Sequence, residues 1–112
     1  MNRLLTALLL CLCSLTATAA TQTIDKVMIH KAERQLQLLS DGNVVHEYQI
    51  SLGRQPVGHK VQQGDQRTPE GIYTIDWRHE SPAYNLSMHL DYPNLKDKMA
   101  AYKNDVDPGG MI

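Results

Sequence analysis

The sequence predicts a mainly β domain, built as an antiparallel β-sheet sandwich or barrel-like sheet with one short helix. Five segments alternate apolar and polar side chains with the period of two that half-buried strands show. An Asp-Gly dipeptide at Asp41-Gly42 separates two of these segments, which is a strong signal for a tight hairpin. Only one stretch, after Pro93, spaces its apolar residues as a helix does. We therefore expect one domain over residues 21–112.

Residues 1–20 have the pattern of a secretory signal peptide. Arg3 precedes an apolar run from Leu4 to Leu15, and small residues follow it up to Ala20. The run is shorter than the roughly 20 apolar residues that a membrane-spanning helix needs. We expect cleavage after Ala19 or Ala20, export to the periplasm or cell envelope, and no stable membrane anchor afterwards. An uncleaved N-terminal anchor is the alternative.

Composition excludes several classes of chemistry for the exported part. Both cysteines, Cys11 and Cys13, lie in the apolar run, so residues 21–112 can form no disulfide and contain no thiol nucleophile. The chain has 11 Lys+Arg and 12 Asp+Glu, and this balance does not suit a nucleic-acid partner. The five histidines are scattered without metal-ligand spacing, so we expect no metal and no other cofactor. The oligomeric state stays open.

The first three strands are predicted to form two hairpins that share the middle strand. Lys26 to His30 and Gln35 to Leu39 alternate and are joined by a short polar connection, and Val44 to Leu52 is the longest candidate strand. We expect its buried face to carry Val44, His46, Tyr48 and Ile50. His46 is interpreted as a core or edge histidine rather than a metal ligand, because it has no ligand partner at the right spacing.

The connection from residue 52 to residue 73 is polar and rich in glycine and proline. Pro69 and Gly71 predict a turn, in which Asp65 is expected to be solvated and Glu70 to bind local amides. The same connection gathers basic or potentially basic side chains, namely Arg54, His59, Lys60 and Arg67. It is either a solvated loop or a place that receives carboxylates.

Two more strands and the helix follow. We expect strands over Ile72 to Trp77 and Leu86 to Tyr92, with a loop over Arg78 to Asn85. Asn94 is a good helix N-cap, and Leu95, Met99 and Tyr102 then fall on one helical stripe. Met111-Ile112 have the character of the first residues of another strand.

Several phrases of the sequence, taken together, resemble the L,D-transpeptidase catalytic domain (YkuD type) of the bacterial enzymes that cross-link peptidoglycan. The most specific is the stretch from Gly64 to Gly71, GDQRTPEG, which follows an SLG phrase and precedes Tyr73. The resemblance continues through Tyr84 and through Tyr92-Pro93-Asn94 with Asp97, so that it covers roughly Ile24 to Ile112.

The resemblance implies a cysteine-dependent acyl transfer between peptide stems. In that family the catalytic histidine-glycine and glycine-cysteine segments follow a PGG phrase, and here Pro108-Gly109-Gly110 precede only Met111-Ile112. We therefore expect a partial catalytic domain, incomplete at its C-terminus, with no catalytic residue in this chain and no activity by itself.

The resemblance also implies peptidoglycan stem peptides as partners. Tyr84, His89 and Arg67 are the residues that we expect nearest to a substrate cleft; the alternative is that they are surface or rim positions. Two alternatives stay open, namely a non-catalytic envelope module that binds peptidoglycan, and a truncated reading frame whose product does not fold stably.

Overall fold

The computed structural model describes residues 21–112, so the predicted signal peptide lies outside the described residues. The described part contains five strands and one helix in the order β1 Lys26–His30, β2 Gln35–Ser40, β3 Asn43–Gln49, β4 Ile75–Ser81, β5 Asn85–Leu90 and α1 Leu95–Lys103. All strand pairs are antiparallel, in a three-stranded sheet β1-β2-β3 and a two-stranded sheet β4-β5. This confirms the mainly β prediction; within residues 21–112 the sheets form no closed barrel, which is compatible with a sandwich-like domain.

The first sheet confirms the two predicted hairpins. The connection between β1 and β2 pairs His30 with Gln35. Between β2 and β3 the backbone turns at Asp41 (φ 49°) and Gly42 (φ 79°). Positive φ at both central residues is the conformation that a type I′ hairpin turn requires, and Asp-Gly tolerates it well. The local sequence thus determines this turn.

A β-bulge in β3 changes which side chains share a face. Leu38 pairs with His46 but Leu39 pairs with Val44, so Val45 is an extra residue in the bulge. Val44 therefore lies on the opposite face from His46, and the prediction that both share one buried face is wrong. The face that carries His46 is only partly covered in the described part of the chain. It also carries Val27, Ile29, Leu36, Leu38 and Tyr48.

The second sheet extends further than the sequence predicted. Strand β4 continues to Ser81, and the reversal occupies only residues 82–84, so the predicted loop over Arg78 to Asn85 is wrong. Both faces of this hairpin are largely exposed, and residues 78–81, which extend β4, are all polar and so give no apolar alternation. The strand also begins later than predicted, at Ile75, and Ile72 is almost fully exposed.

Helix α1 begins where the sequence predicted. The Asp97 N–H donates to Asn94 Oδ1 (3.0 Å) and the Asn94 N–H donates to Asp97 Oδ2 (3.1 Å), a reciprocal capping box. The helix buries Asp97 and Ala101, whereas the predicted apolar stripe of Leu95, Met99 and Tyr102 is exposed. No helix within residues 21–112 is long and apolar enough to cross a membrane.

Burial is concentrated where the connection 50–74, the end of β5 and helix α1 meet. In the part of the chain that the structure describes, the buried hydrophobic residues are Tyr92 and Ala101, and the buried charged residues are Lys60 and Asp97. This meeting point is largely polar. The GDQRTPEG stretch and Tyr92-Pro93-Asn94 with Asp97, which carry the resemblance, lie in this region.

Candidate functional site

The Asp97 carboxylate is the centre of a polar core. Its Oδ1 is 2.9 Å from His59 Nε2, and its Oδ2 accepts hydrogen bonds from the Tyr73 hydroxyl (2.8 Å) and from the Asn94 N–H (3.1 Å). One carboxylate thus joins the loop, the segment before β4, and the start of α1. This explains how a short chain holds an irregular connection in one conformation.

His59 has both ring nitrogens engaged. Its Nδ1 accepts the Glu70 N–H (2.8 Å), so the ring proton is on Nε2, which donates to Asp97. A histidine that uses one nitrogen as acceptor and the other as donor has no free lone pair with which to accept a substrate proton. His59 therefore holds the loop in place rather than acting as a base.

The electrostatics of this core follow from its hydrogen bonds. Burial acts to raise the pKa of Asp97, but the hydrogen bonds from Tyr73, His59 and Asn94 outweigh it and hold that pKa below its usual range. Burial and the Asp97 charge raise the pKa of Tyr73 well above its ordinary value. Burial, with the charges of Asp97, Asp65 and Asp107, raises the pKa of Tyr92 to about 12. The carboxylate is thus ionised and both phenols are protonated near neutral pH.

Asp65 organises the first half of the loop. Its carboxylate accepts hydrogen bonds from Lys60 Nζ (2.9 Å) and from three backbone N–H groups, those of Val61, Gln62 and Arg67. Its side chain is 9% exposed, so the prediction that Asp65 is solvated is wrong. Burial opposes ionisation, but these bonds lower the pKa of Asp65 far below its usual range.

Lys31 ties the first sheet to the second half of the loop. Its ammonium donates to the carbonyls of Gly58 and Thr68 (2.9 Å each) and to Glu70 Oε1 (3.0 Å). The Glu70 carboxylate therefore binds Lys31 rather than the local amides that the sequence suggested. A residue of the β1–β2 connection thus holds the TPEG turn.

Two parts of the connection run side by side. The Gly53 N–H donates to Thr68 Oγ1 (3.0 Å), and the Gln55 N–H donates to the Gln66 carbonyl (3.0 Å). A Cβ placed on Gly53 would lie 2.3 Å from the Gln66 carbonyl oxygen, so only glycine fits there. The loop is therefore closed on itself by one backbone–backbone hydrogen bond and one hydrogen bond to the Thr68 side chain.

The polar core also positions residues 106–112. The Tyr92 hydroxyl donates to the Pro108 carbonyl (2.8 Å), and the Gln63 N–H donates to the Asp107 carbonyl (2.7 Å). Ile112 comes back to β5, because its carbonyl accepts the Leu90 N–H (2.6 Å). The PGG phrase is thus held between the loop and the end of β5.

A separate cluster lies on the β4–β5 hairpin. His89 stacks on Trp77 with ring centroids 4.7 Å apart, and its Nδ1 is 2.6 Å from Asp76 Oδ1. Within residues 21–112 its Nε2 has no hydrogen-bond partner. A histidine oriented by a carboxylate and free at the other nitrogen can exchange a proton with a bound molecule or hydrogen-bond to it.

The structure does not bring the three predicted cleft residues into contact. Tyr84 is exposed in the turn of the β4–β5 hairpin, and His89 lies five residues further on, near the other end of β5. Arg67 lies in the loop, where its guanidinium faces Gly58. Of the three, His89 is the one with a defined polar environment.

Sequence reasoning missed the roles of Asp97, Lys31 and Asp76. Asn94 and Asp97 have the spacing of a capping box, and this signal could have drawn attention to Asp97. Lys31 and Asp76 act on residues far along the chain or across a strand pair, for which the local sequence carries no signal. Among the described residues no group of three or more His, Cys, Asp or Glu side chains could hold a metal ion.

The fold and the core define a mainly β domain organised around an ordered Gly/Pro-rich loop, and the phrases that build this loop are those that resemble a cell-wall acyltransferase. Residues 24–112 match the family model of YkuD, the L,D-transpeptidase catalytic domain. The chain belongs to this family. No curated protein and no solved structure gave a significant match.

Proposed function

We propose that this chain is an exported L,D-transpeptidase-family protein that takes peptidoglycan stem peptides as its substrate class. The family is one of acyltransferases that act on these stems, and its proteins are typically exported to the cell envelope. The signal-like residues 1–20 support export of this chain too. The matched region covers nearly all of the remaining residues.

The observation that carries the proposal is the network around Asp97. Asp65, Tyr92 and Asp97 belong to the phrases that resemble the family, and the structure joins them to the loop and to residues 106–112 through hydrogen bonds. In the family the PGG phrase leads into the catalytic strand. The role proposed for residues 21–112 is therefore to hold the connection 50–74 in one conformation and to position the PGG phrase.

The acyl transfer itself needs a cysteine. In the family a cysteine thiolate attacks the stem amide, a histidine moves the proton, and an amine takes the acyl group. Residues 21–112 contain no cysteine, and loss of the central member of a catalytic unit costs on the order of 10⁶ in rate. We therefore propose that this 112-residue chain alone has no detectable transpeptidase or carboxypeptidase activity.

Mass spectrometry of disaccharide tetrapeptide incubated with the purified chain tests this. The expected result is no product above the enzyme-free blank. A version extended with the family's His-Gly and Gly-Cys segments should give product, and thiol alkylation should block it. Turnover by the 112-residue chain would contradict the inactivity, and turnover of the extended version that alkylation leaves intact would contradict the cysteine mechanism.

Retention on purified sacculi separates the alternatives. A module that binds peptidoglycan without turning it over should be retained above a control protein of similar charge. A product that does not fold stably should show neither retention nor a cooperative thermal transition.

A further inference from the structure

The charged groups of the connection 50–74 are matched by partners with two exceptions. Lys60 pairs with Asp65 (2.9 Å), His59 with Asp97 (2.9 Å) and Glu70 with Lys31 (3.0 Å). Arg54 and Arg67 have no ion pair and no side-chain hydrogen bond anywhere in residues 21–112. Both are exposed. The loop therefore presents two unmatched guanidinium groups to solvent.

Two hydrogen bonds bring the segments that carry these arginines together. Gln55 bonds to Gln66 and Gly53 bonds to Thr68, so Arg54 and Arg67 are the residues between the two contacts. Two cationic side chains on neighbouring segments repel each other. An anion bound between them would remove this repulsion.

The backbone of Arg67 is held by a hydrogen bond within the loop. Its N–H donates to Asp65 Oδ1 (3.1 Å), and the preceding residue Gln66 has φ 59°, a conformation that non-glycine residues rarely adopt. Its guanidinium lies against Gly58, where an added Cβ would be 3.6 Å from one of its terminal nitrogens. The guanidinium fork is itself planar and pre-organised, so less freedom is lost for each hydrogen bond that it forms with a carboxylate.

We propose that Arg54 and Arg67 form a carboxylate-binding subsite, and that its ligand is a free carboxylate of a peptidoglycan stem peptide. The identity of the peptide rests on the proposed function, whereas the anion site rests on the geometry of the loop. Guanidinium groups bind carboxylates through two parallel N–H···O bonds, and they bind phosphate in a similar way. Phosphate is therefore the competing ligand that the test must separate.

Calorimetric titration at low salt tests the subsite with disaccharide tetrapeptide and with the same compound after amidation of its carboxylates. The chain should bind the acid form about tenfold or more tightly than the amide, the size expected for a hydrogen bond to a charged group. Arg54→Gln and Arg67→Gln should each weaken acid binding by a similar factor and leave amide binding unchanged. Arg67→Lys should be intermediate, because it keeps the charge but loses the fork.

Arg78→Gln is the matched control, since Arg78 is an exposed arginine on β4 that lies 3.5 Å from Glu80. It should leave binding unchanged. Thermal unfolding without ligand should be the same or slightly more stable in the Arg54 and Arg67 variants, because repulsion is relieved. Lower stability in both, with binding unchanged, would show a structural role and overturn the subsite.

The remaining outcomes separate the two proposals. Equal binding of acid and amide forms, insensitive to both arginines, would overturn the subsite and leave stem recognition standing. No binding of either form by any variant would also overturn the subsite, and the proposed function would then depend on the activity of the extended version. Tighter arginine-dependent binding of inorganic phosphate than of the acid peptide would reassign the site to phosphate groups.

Discussion

Asp97 and Asp65 show how single carboxylates replace an apolar core in this domain. Each is nearly enclosed and accepts several hydrogen bonds that would be lost on unfolding. These hydrogen bonds lower the pKa of each carboxyl in the folded state. Folding stability therefore depends on pH. We therefore expect the hydrogen bonds of ionised side chains to contribute more to the free energy of unfolding than buried apolar side chains do.

The first prediction concerns acid. Because the pKa values of Asp65 and Asp97 are lowered from the ordinary 3.8 in the folded state, their stabilisation is present above pH 3.8 and is lost as the pH falls toward the lowered values. Urea unfolding between pH 7 and pH 3 should show a falling free energy of unfolding. Asp65→Asn should be less stable at pH 7 and should lose less on acidification.

Asp105→Asn is the control, because Asp105 is exposed and its carboxylate accepts no hydrogen bond among the described residues. It should follow the unmodified chain at every pH. A free energy of unfolding that stays constant from pH 7 to pH 3 would refute the role given to the Asp65 and Asp97 carboxylates.

The second prediction concerns Gly53. A Cβ at this position would be 2.3 Å from the Gln66 carbonyl oxygen, a backbone atom that cannot move without opening the loop. Gly53→Ala should therefore destabilise the chain by about 1–3 kcal/mol, the usual size of an overpacking cost. Gly110→Ala is the matched control, since a Cβ there meets nothing within 4 Å and should change stability little. Equal melting temperatures for the two variants would contradict this account.

At the scale of elements, the loop between β3 and β4 is ordered by groups from outside it. Lys31 holds it from the β1–β2 connection, and Asp97 holds it from helix α1. Among residues 21–112 no strand of one sheet contacts a strand of the other, so hydrogen bonds such as these connect the halves of the domain. Loss of either should loosen the loop before it melts a strand.

Lys31→Met tests this coupling. The substitution keeps the length of the side chain but leaves the Gly58 and Thr68 carbonyls without their ammonium donor, a cost of about 1–3 kcal/mol. Amide hydrogen exchange should rise in residues 53–70 and change less in β2. Lys26→Met, on the exposed side of β1, should leave exchange unaltered. Exchange that rises equally in all elements would indicate global rather than local loosening.

The sequence predicted those elements that local chemistry determines. The Asp41-Gly42 turn and the Asn94 cap depend on residues within a few positions of each other, and both are confirmed. The end of β4 was predicted wrongly because residues 78–81 are all polar, and the buried face of β3 was predicted wrongly because a bulge at Val45 shifts the pattern. The contacts of the site could not be predicted from local sequence, because partners such as Lys31 and Thr68 are 37 residues apart.

On the scale of the whole molecule, the described residues leave much apolar surface open. Val44 and Tyr48 are about half exposed on β3, and Tyr102 on helix α1 is 90% exposed. In the part of the chain that the structure describes, β3 and β4 are also edge strands with one unpaired side each. Unpaired edges with apolar side chains are templates for strand addition from another chain.

We therefore expect the purified chain to associate as its concentration rises, through strand edges rather than through the helix. Val44→Lys places a charge on the β3 edge, and a lysine there opposes strand addition. Sedimentation velocity over a hundredfold range of concentration should show association that Val44→Lys reduces. Tyr102→Lys removes a larger exposed apolar group from the helix without touching an edge, so it should reduce association less. A monodisperse monomer with a sharp cooperative melt throughout that range would contradict the prediction, and suppression by Tyr102→Lys alone would place the contact on the helix.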